Sequence, residues 1–244
     1  MGRVEQLYHY PFTDLSAQLL DAVTLTPGSG FPADRLLALT RPGGTFDPLK
    51  PREDVFPFWR STRHVHLASH YDPATERFTL AIRGRRVHDS DLSTAAGVAA
   101  TAAFFARMYD WKEPLTIARV QPTQRFTEAP VSLINLASVE DLAARIGSPV
   151  DPLRFRANLY FSGWPAQSEL DLSVGTEVRA GTALMRVTGR TQRCDVTEID
   201  PATAKKDIPI PRLIKEHFGH GDLGIYCEVV GAGAVRPGDD ITHS

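Results

Sequence analysis

Short apolar runs, each closed by proline, glycine or aspartate, recur along this chain, and that rhythm confines it to a mainly β fold. Leu36-Leu37-Ala38-Leu39-Thr40 runs into the turn Pro42-Gly43-Gly44. Val65-His66-Leu67-Ala68 leads to Tyr71-Asp72-Pro73, and Phe78-Thr79-Leu80-Ala81-Ile82 stops at Gly84, so this pair predicts a hairpin. Pro48, Pro51 and Pro57 predict an irregular loop between them.

Helices interrupt the β pattern at few places. Ser93-Thr94-Ala95-Ala96 opens an alanine-rich stretch, a helix to about Met108 by propensity. Val131 to Leu136 predicts a strand, and Ser138, with Asp141 three residues on, predicts the N-cap of a helix that ends at Gly147. Phe155 to Phe161 alternates polar and apolar residues, which predicts a strand with Arg156 and Asn158 on one side. Thr182 to Val187 and Gly224 to Val230 are further strands, with a short helix from Arg212 between them and a last short strand near Gly238-Asp239. There is no GxGxxG, no phosphate-loop motif and no strict βαβ alternation. The fold class is mainly β (α+β) with a few helices.

Composition narrows the chemistry. The net charge is −2 with no dense basic stripe, which argues against nucleic-acid binding. No apolar run approaches the length of a membrane span, and the N-terminus lacks the apolar stretch of a signal peptide. The two cysteines cannot supply the four thiolates of an iron–sulfur cluster. A cytoplasmic protein with reduced thiols is expected, drawing any electrons from another protein.

The two cysteines differ. Cys194 lies in Arg193-Cys194-Asp195-Val196-Thr197-Glu198-Ile199-Asp200-Pro201, a polar run in which Arg193 favours thiolate over thiol. Thiolate is the form that attacks electrophiles and binds soft metals. Cys227 sits inside an apolar strand and reads as core. Arg156 offers a planar fork for carboxylate or phosphate, and Asn158 offers two donors and an acceptor. His64 and His66 share a strand face without a nearby third ligand, and His217 and His220 flank Gly219 in a loop that could border a pocket.

These residues resemble a known family. Phe155-Arg156-Ala157-Asn158 resembles the R-F-R-x-N strand of the MOSC domain, the C-terminal domain of molybdenum cofactor sulfurases. Arg193-Cys194, Asp200-Pro201 and Thr203 resemble its R-C-x-x-T-x-x-D-P-x-T motif, Gly224-Ile225-Tyr226 its F-G-x-Y strand, and Gly238-Asp239 its terminal I-x-x-G-D. Tyr10-Pro11 and Ala33-Asp34-Arg35 resemble the β-barrel domain that often precedes MOSC. The resemblance implies residues 1–90 as that N-terminal β-barrel-like domain, 91–115 as a helical connection and 116–244 as the MOSC β-barrel.

It further implies a molybdenum cofactor, a molybdopterin holding the metal, with Cys194 as metal ligand and catalytic centre. Arg156, Asn158, Arg193, Tyr226, Ser29 and Arg35 are the implied cofactor-binding residues. The implied architecture resembles that of the amidoxime-reducing component and its bacterial relatives. These reduce small N-hydroxylated compounds with electrons from an external ferredoxin- or flavin-type reductase. The sequence departs from the family pattern at Thr13, Gly28, Glu128-Ala129 and Gln167-Ser168. Two alternatives stand beside this reading: a sulfur carrier or transferase using a Cys194 persulfide, and a non-catalytic molybdopterin-binding module.

Overall fold

The computed structural model describes residues 1–45, 55–56, 62–119 and 131–244. Pro48, Pro51, Pro57, Arg125, Glu128 and Ala129 lie outside the described residues. In chain order the described elements are β1 (Gly2–His9), β2 (Gln18–Leu20), β3 (Val23–Leu25), β4 (Leu37–Thr40), β5 (Ala68–Asp72), β6 (Arg77–Ile82) and β7 (Arg85–Asp91). Then come α1 (Ala95–Tyr109), β8 (Thr116–Arg119), β9 (Val131–Asn135), α2 (Leu136–Ile146), β10 (Leu159–Ser162), β11 (Glu177–Ala180) and β12 (Ala183–Gln192). The chain ends with α3 (Ile210–Phe218), β13 (Asp222–Gly231), β14 (Gly233–Val235) and β15 (Asp240–His243). No described helix is long and apolar enough to cross a membrane.

The chain forms two compact units that interleave in sequence. One comprises Met1–His9, Leu19–Pro32 and Arg125–Ser244; the other comprises Tyr10–Gln18 and Ala33–Gln124.

The first unit is a closed barrel of seven strands in the order β10-β9-β13-β12-β11-β15-β1, and β1 returns to β10. Closure is antiparallel, with Arg3 opposite Ser162 and Leu7 opposite Leu159. Closing the sheet removes the open edges that a flat sheet would present. β9 and β10 are parallel, so no tight turn can join them, and the chain passes through α2 in between. Alternation along β13 puts Leu223, Ile225, Cys227 and Val229 into the core, while Tyr226 and Glu228 point outward. Val4, Leu7, Leu133, Leu159, Phe161 and Met185 join them inside.

Asn158 seals the closure. It is fully buried, and its Oδ1 accepts from the Ser132 backbone N–H at 3.1 Å and the Ser132 hydroxyl at 2.9 Å. Its Nδ2 donates to the Tyr8 carbonyl at 3.3 Å. One amide thus ties β9 to β1 just before β10 begins.

The second unit holds the β4–β8 pair and the meander β5-β6-β7. Helix α1 packs on β7 and β8. Thr94 caps α1 by accepting from Gly97 N–H at 3.0 Å. Phe12, Leu37, Leu39, Phe78, Leu80 and Phe105 form its core.

The mainly β expectation is met, with local corrections. The hairpin exists, but its first strand is Ala68–Asp72, and Arg63–His66 is a 3₁₀ turn. His64 therefore shares no strand face with His66; it is buried, and its Nδ1 lies 2.9 Å from the Tyr109 hydroxyl. Asn135, not Ser138, caps α2, because its side-chain oxygen reaches Ala137 N–H at 3.2 Å while Ser138 turns inward to a buried carboxylate. The expected strand from Phe155 begins only at Leu159. Pro152, whose ring presets the first helical turn, opens a 3₁₀ turn over Pro152–Phe155 that ends at Arg156 in the left-handed region (φ 51°). Arg156 and Asn158 are thus not strand neighbours.

Replacing Asn158 with Ala strands donors on Ser132 and the Tyr8 carbonyl inside the barrel. The expected loss is about 3 kcal/mol of stability. A urea unfolding midpoint unchanged from wild type would contradict the sealing role.

Candidate cysteine-centred site

The site grows from two segments that the barrel brings together. The first is the turn Pro152–Phe155, capped by Asp151, whose carboxylate accepts from Leu153 N–H at 2.8 Å. The second starts where β12 ends. Cys194 is extended (φ −122°, ψ 174°) and opens the 3₁₀ turn Asp195–Glu198. Its carbonyl accepts from Thr197 N–H at 3.0 Å and from the Thr197 hydroxyl at 2.8 Å. The thiol is exposed.

Two arginines hold the segments against each other. Arg193 donates from Nη1 to the Phe155 carbonyl at 2.9 Å and from Nε to the Leu223 carbonyl at 2.7 Å, with its guanidinium 5.2 Å from the centre of the Phe155 ring. Arg156 and Cys194 each lie one residue from that Arg193–Phe155 bond. Gly224 makes room: its φ is +81°, and a Cβ there would sit 2.4 Å from the Leu133 carbonyl and 3.1 Å from Arg193 Nη2.

Arg154 is the side chain of this region that the sequence reading missed. It is buried, and it pairs with Asp200 at 3.0 Å and Asp207 at 2.8 Å and donates to the Glu198 carbonyl at 3.0 Å. Its Nε is buried without a hydrogen-bond partner among the described residues. The available signal was an arginine two residues before Arg156 with two carboxylates following Cys194, and nothing in spacing alone pairs them.

Asp200 also accepts from Ala202 N–H at 2.8 Å and Thr203 N–H at 2.6 Å, so Asp200-Pro201 and Thr203 build a closed turn. Burial pushes the Asp200 carboxyl up, but the hydrogen bonds from Thr203 and Ala202 and the charge of Arg154 outweigh it and hold the group below its ordinary value. The hydrogen bond from Arg154 likewise holds Asp207 down.

The other expected residues fall in distinct places. Cys227 is fully buried, and burial pushes its thiol up to about 12, so it is inert. Tyr226 faces outward from β13, opposite Ser132 and Gly189. Asn158 lies in the barrel wall, as described. Ser29 is half-buried, and its N–H donates to Thr26 at 3.0 Å in a turn tied to Val229 by Gly28. Gly28 has φ +70°, a conformation that favours glycine. Arg35 belongs to the second unit, where it bonds Asp34 and lies 5.2 Å from the Tyr10 ring centre. Thr13, also in that unit, donates to the Leu37 carbonyl at 3.1 Å. At Gln167-Ser168, Gln167 is left-handed (φ 66°) and leads to buried Glu169. Burial pushes the Glu169 carboxyl up against the pull of hydrogen bonds from Ser138 and Asn135.

No group of three or more His, Cys, Asp or Glu among the described residues is arranged to hold a metal ion. A hollow of about 540 Å³ in the barrel unit is bordered by Glu5, Gln6, Ala137, Glu140, Ser162 and Pro152, the first residue of the site turn. The exposed Cys194 offers one soft sulfur ligand to a group that needs it, and Arg156 closes the adjoining turn.

Comparison with known proteins agrees with the motif reading. A model of the MOSC domain matches residues 85–242. The crystal structure of APC1665, the YuaD protein of Bacillus subtilis, is similar with a TM-score of 0.47 and 16% identity, covering 100% of this chain and 96% of that chain. YiiM from Geobacillus stearothermophilus is 24% identical over 47% of this chain and 53% of its own, with a TM-score of 0.37. YiiM from Escherichia coli is 13% identical over 99% of this chain and 69% of its own, with a TM-score of 0.36. No curated protein matches the chain.

Arg154→Met leaves Asp200 and Asp207 without their cation. The expected cost is about 2 kcal/mol, below that of a fully buried pair because both carboxylates retain some solvent. Cys194 should then react faster with iodoacetamide, while buried Cys227 stays protected. The pH dependence has a definite sign. Both carboxyls are lowered in the folded state, so their contribution is complete above the unfolded value near pH 4 and is lost as pH falls through the lower folded values. Amide exchange at Ile199 and Ala204, corrected for its intrinsic pH dependence, should rise in that acidic window and stay flat above it.

Proposed function

The chain belongs to the MOSC domain family, and from that premise we propose that it is a molybdenum cofactor-dependent oxidoreductase that reduces small N-hydroxylated compounds, such as amidoximes and N-hydroxylated bases. The observation that carries this reading is the exposed thiol of Cys194 beside an arginine-locked turn, in a chain whose other cysteine is buried and inert. Sulfur is the soft ligand that molybdenum takes readily. When bound, the cofactor supplies a two-electron centre; the protein supplies orientation and exclusion of side reactions.

In this reading Cys194 ligates the metal and Arg156 meets the anionic tail of the pterin. Arg193 and Asn158 act by holding the turn and the barrel wall that present those two groups, which their hydrogen bonds to Phe155, Leu223, Ser132 and Tyr8 favour. Tyr226 and Ser29 complete the cofactor contacts proposed within the barrel unit. Two electrons come from an external ferredoxin- or flavin-type reductase, two protons are taken up, and the N–OH oxygen leaves as water.

One observation also favours sulfur transfer. An exposed thiol is accessible to a sulfur donor and acceptor, as a persulfide carrier requires. Protein from a host that makes the cofactor distinguishes the two. The reductase reading expects molybdenum and pterin in wild type, at least tenfold less metal in Cys194→Ser, and reduction of benzamidoxime by the loaded protein with a chemical electron donor. Full metal content in the Cys194→Ser protein would overturn it. Cyanide-releasable sulfur on Cys194 in molybdenum-free protein would instead establish the carrier role.

A further inference from the structure

The turn that leads toward β10 holds strain at one residue. Arg156 ends it in the left-handed region (φ 51°), a conformation that glycine adopts freely and an arginine does not. Such a residue persists only where its surroundings hold it, and strain of this kind gathers at sites that need a fixed geometry. The Arg156 N–H reaches back within the turn to the Leu153 carbonyl at 3.2 Å. The bonds that span Arg156 come from Tyr160 on β10.

Tyr160 is fully buried, its ring edge-on to Tyr8 with 5.7 Å between centres. Its hydroxyl accepts from the Ala157 N–H at 3.0 Å and donates to the Pro152 carbonyl at 3.2 Å. One oxygen therefore ties the residue that opens the turn to the residue that follows Arg156. Tyr160 is itself fixed from both sides, opposite Gln6 of β1 and Ile134 of β9. Between the two tied ends sits Phe155, whose carbonyl accepts from Arg193 Nη1 at 2.9 Å. The barrel wall thus reaches the turn through the Tyr160 phenol.

We infer that Tyr160 is a positioning residue for cofactor binding: its hydroxyl holds the left-handed backbone of Arg156, and so sets the guanidinium that meets the anionic tail of the pterin. This rests on the cofactor reading proposed above. The arrangement is one of preorganisation. The strain at Arg156 is met on folding, with the hydroxyl in place, and the anion finds a cation whose backbone is already set. Without the hydroxyl, Arg156 relaxes toward ordinary backbone angles, and binding must then order it.

Two cycles of substitution test it, and the first needs no cofactor. Glycine takes the left-handed conformation without strain, so Arg156→Gly removes the need for the clamp. Tyr160→Phe keeps the ring and its packing. It should lower the urea unfolding midpoint of the wild-type chain about twice as much as that of the Arg156→Gly chain. Equal falls in the two backgrounds overturn the clamp. The second cycle uses protein from a host that makes the cofactor, with pterin measured after extraction. Tyr160→Phe should retain about fivefold less pterin than wild type, the worth of roughly one hydrogen bond. In an Arg156→Ala chain the same change should cause no further loss, because the hydroxyl acts through that guanidinium. Wild-type pterin content in Tyr160→Phe, or a second loss on top of Arg156→Ala, overturns the positioning role. Wild type that carries no pterin, or Arg156→Ala that carries the full amount, overturns the cofactor reading of Arg156 itself, while the urea cycle still reports the clamp.

Discussion

Everything at the cysteine depends on the closure of the barrel between β1 and β10. Without it both strands would present open edges, and the turn Pro152–Phe155, which leads into β10, would have nothing to fix its position. Asn158 carries the closure at its most exacting point. A fully buried amide costs stability unless its groups are paired, and here Ser132 and Tyr8 engage both its oxygen and its nitrogen. Its side chain thus does its work three residues beyond the turn that faces Cys194. The position next to the chemistry and the position that secures the fold are almost the same stretch of chain.

From that fixed turn, two arginines transmit the geometry to the sulfur by different means. Arg193 donates to backbone acceptors, the carbonyls of Phe155 and Leu223. Arg154 is buried and meets two carboxylates, one at each end of the loop that follows Cys194. Away from water such a pair is a stiff connection, since removing one partner leaves an uncompensated charge. The exposed pairs elsewhere, such as Lys112 with Asp110, contribute little beside it. The thiol is therefore accessible while its backbone is tightly held, a combination that suits a ligand or nucleophile and that buried Cys227 cannot offer.

Much of the β content was legible because alternation and turn residues are local signals. β4, β6 and β13 lie close to their apolar runs, and Gly147 ends α2 in the left-handed conformation that glycine favours. The errors arose where a tertiary contact competed with a local preference. Ser138 has the chemistry of an N-cap, yet the buried Glu169 claims its hydroxyl, and Asn135 caps instead. Phe155 to Phe161 alternates like a strand, yet Pro152 and the Arg193–Phe155 bond favour a tight turn until Leu159. The pairing of Arg154, the arginine that matters most to the loop, was not legible because its partners lie 46 and 53 residues away.

The sequence by itself determined that the chain is mainly β, that one cysteine is core and the other polar, and which family its motifs resemble. Each of these depends on residue type and near-neighbour order, which strand periodicity and side-chain chemistry read directly. The tertiary structure decided which residues meet. It set β1 against β10, gave Arg154 its carboxylates, placed Asn158 in the barrel wall and tied Arg193 to the Phe155 carbonyl. Those meetings depend on sheet order and register, and a hydrogen bond between distant segments leaves no periodic trace in either of them.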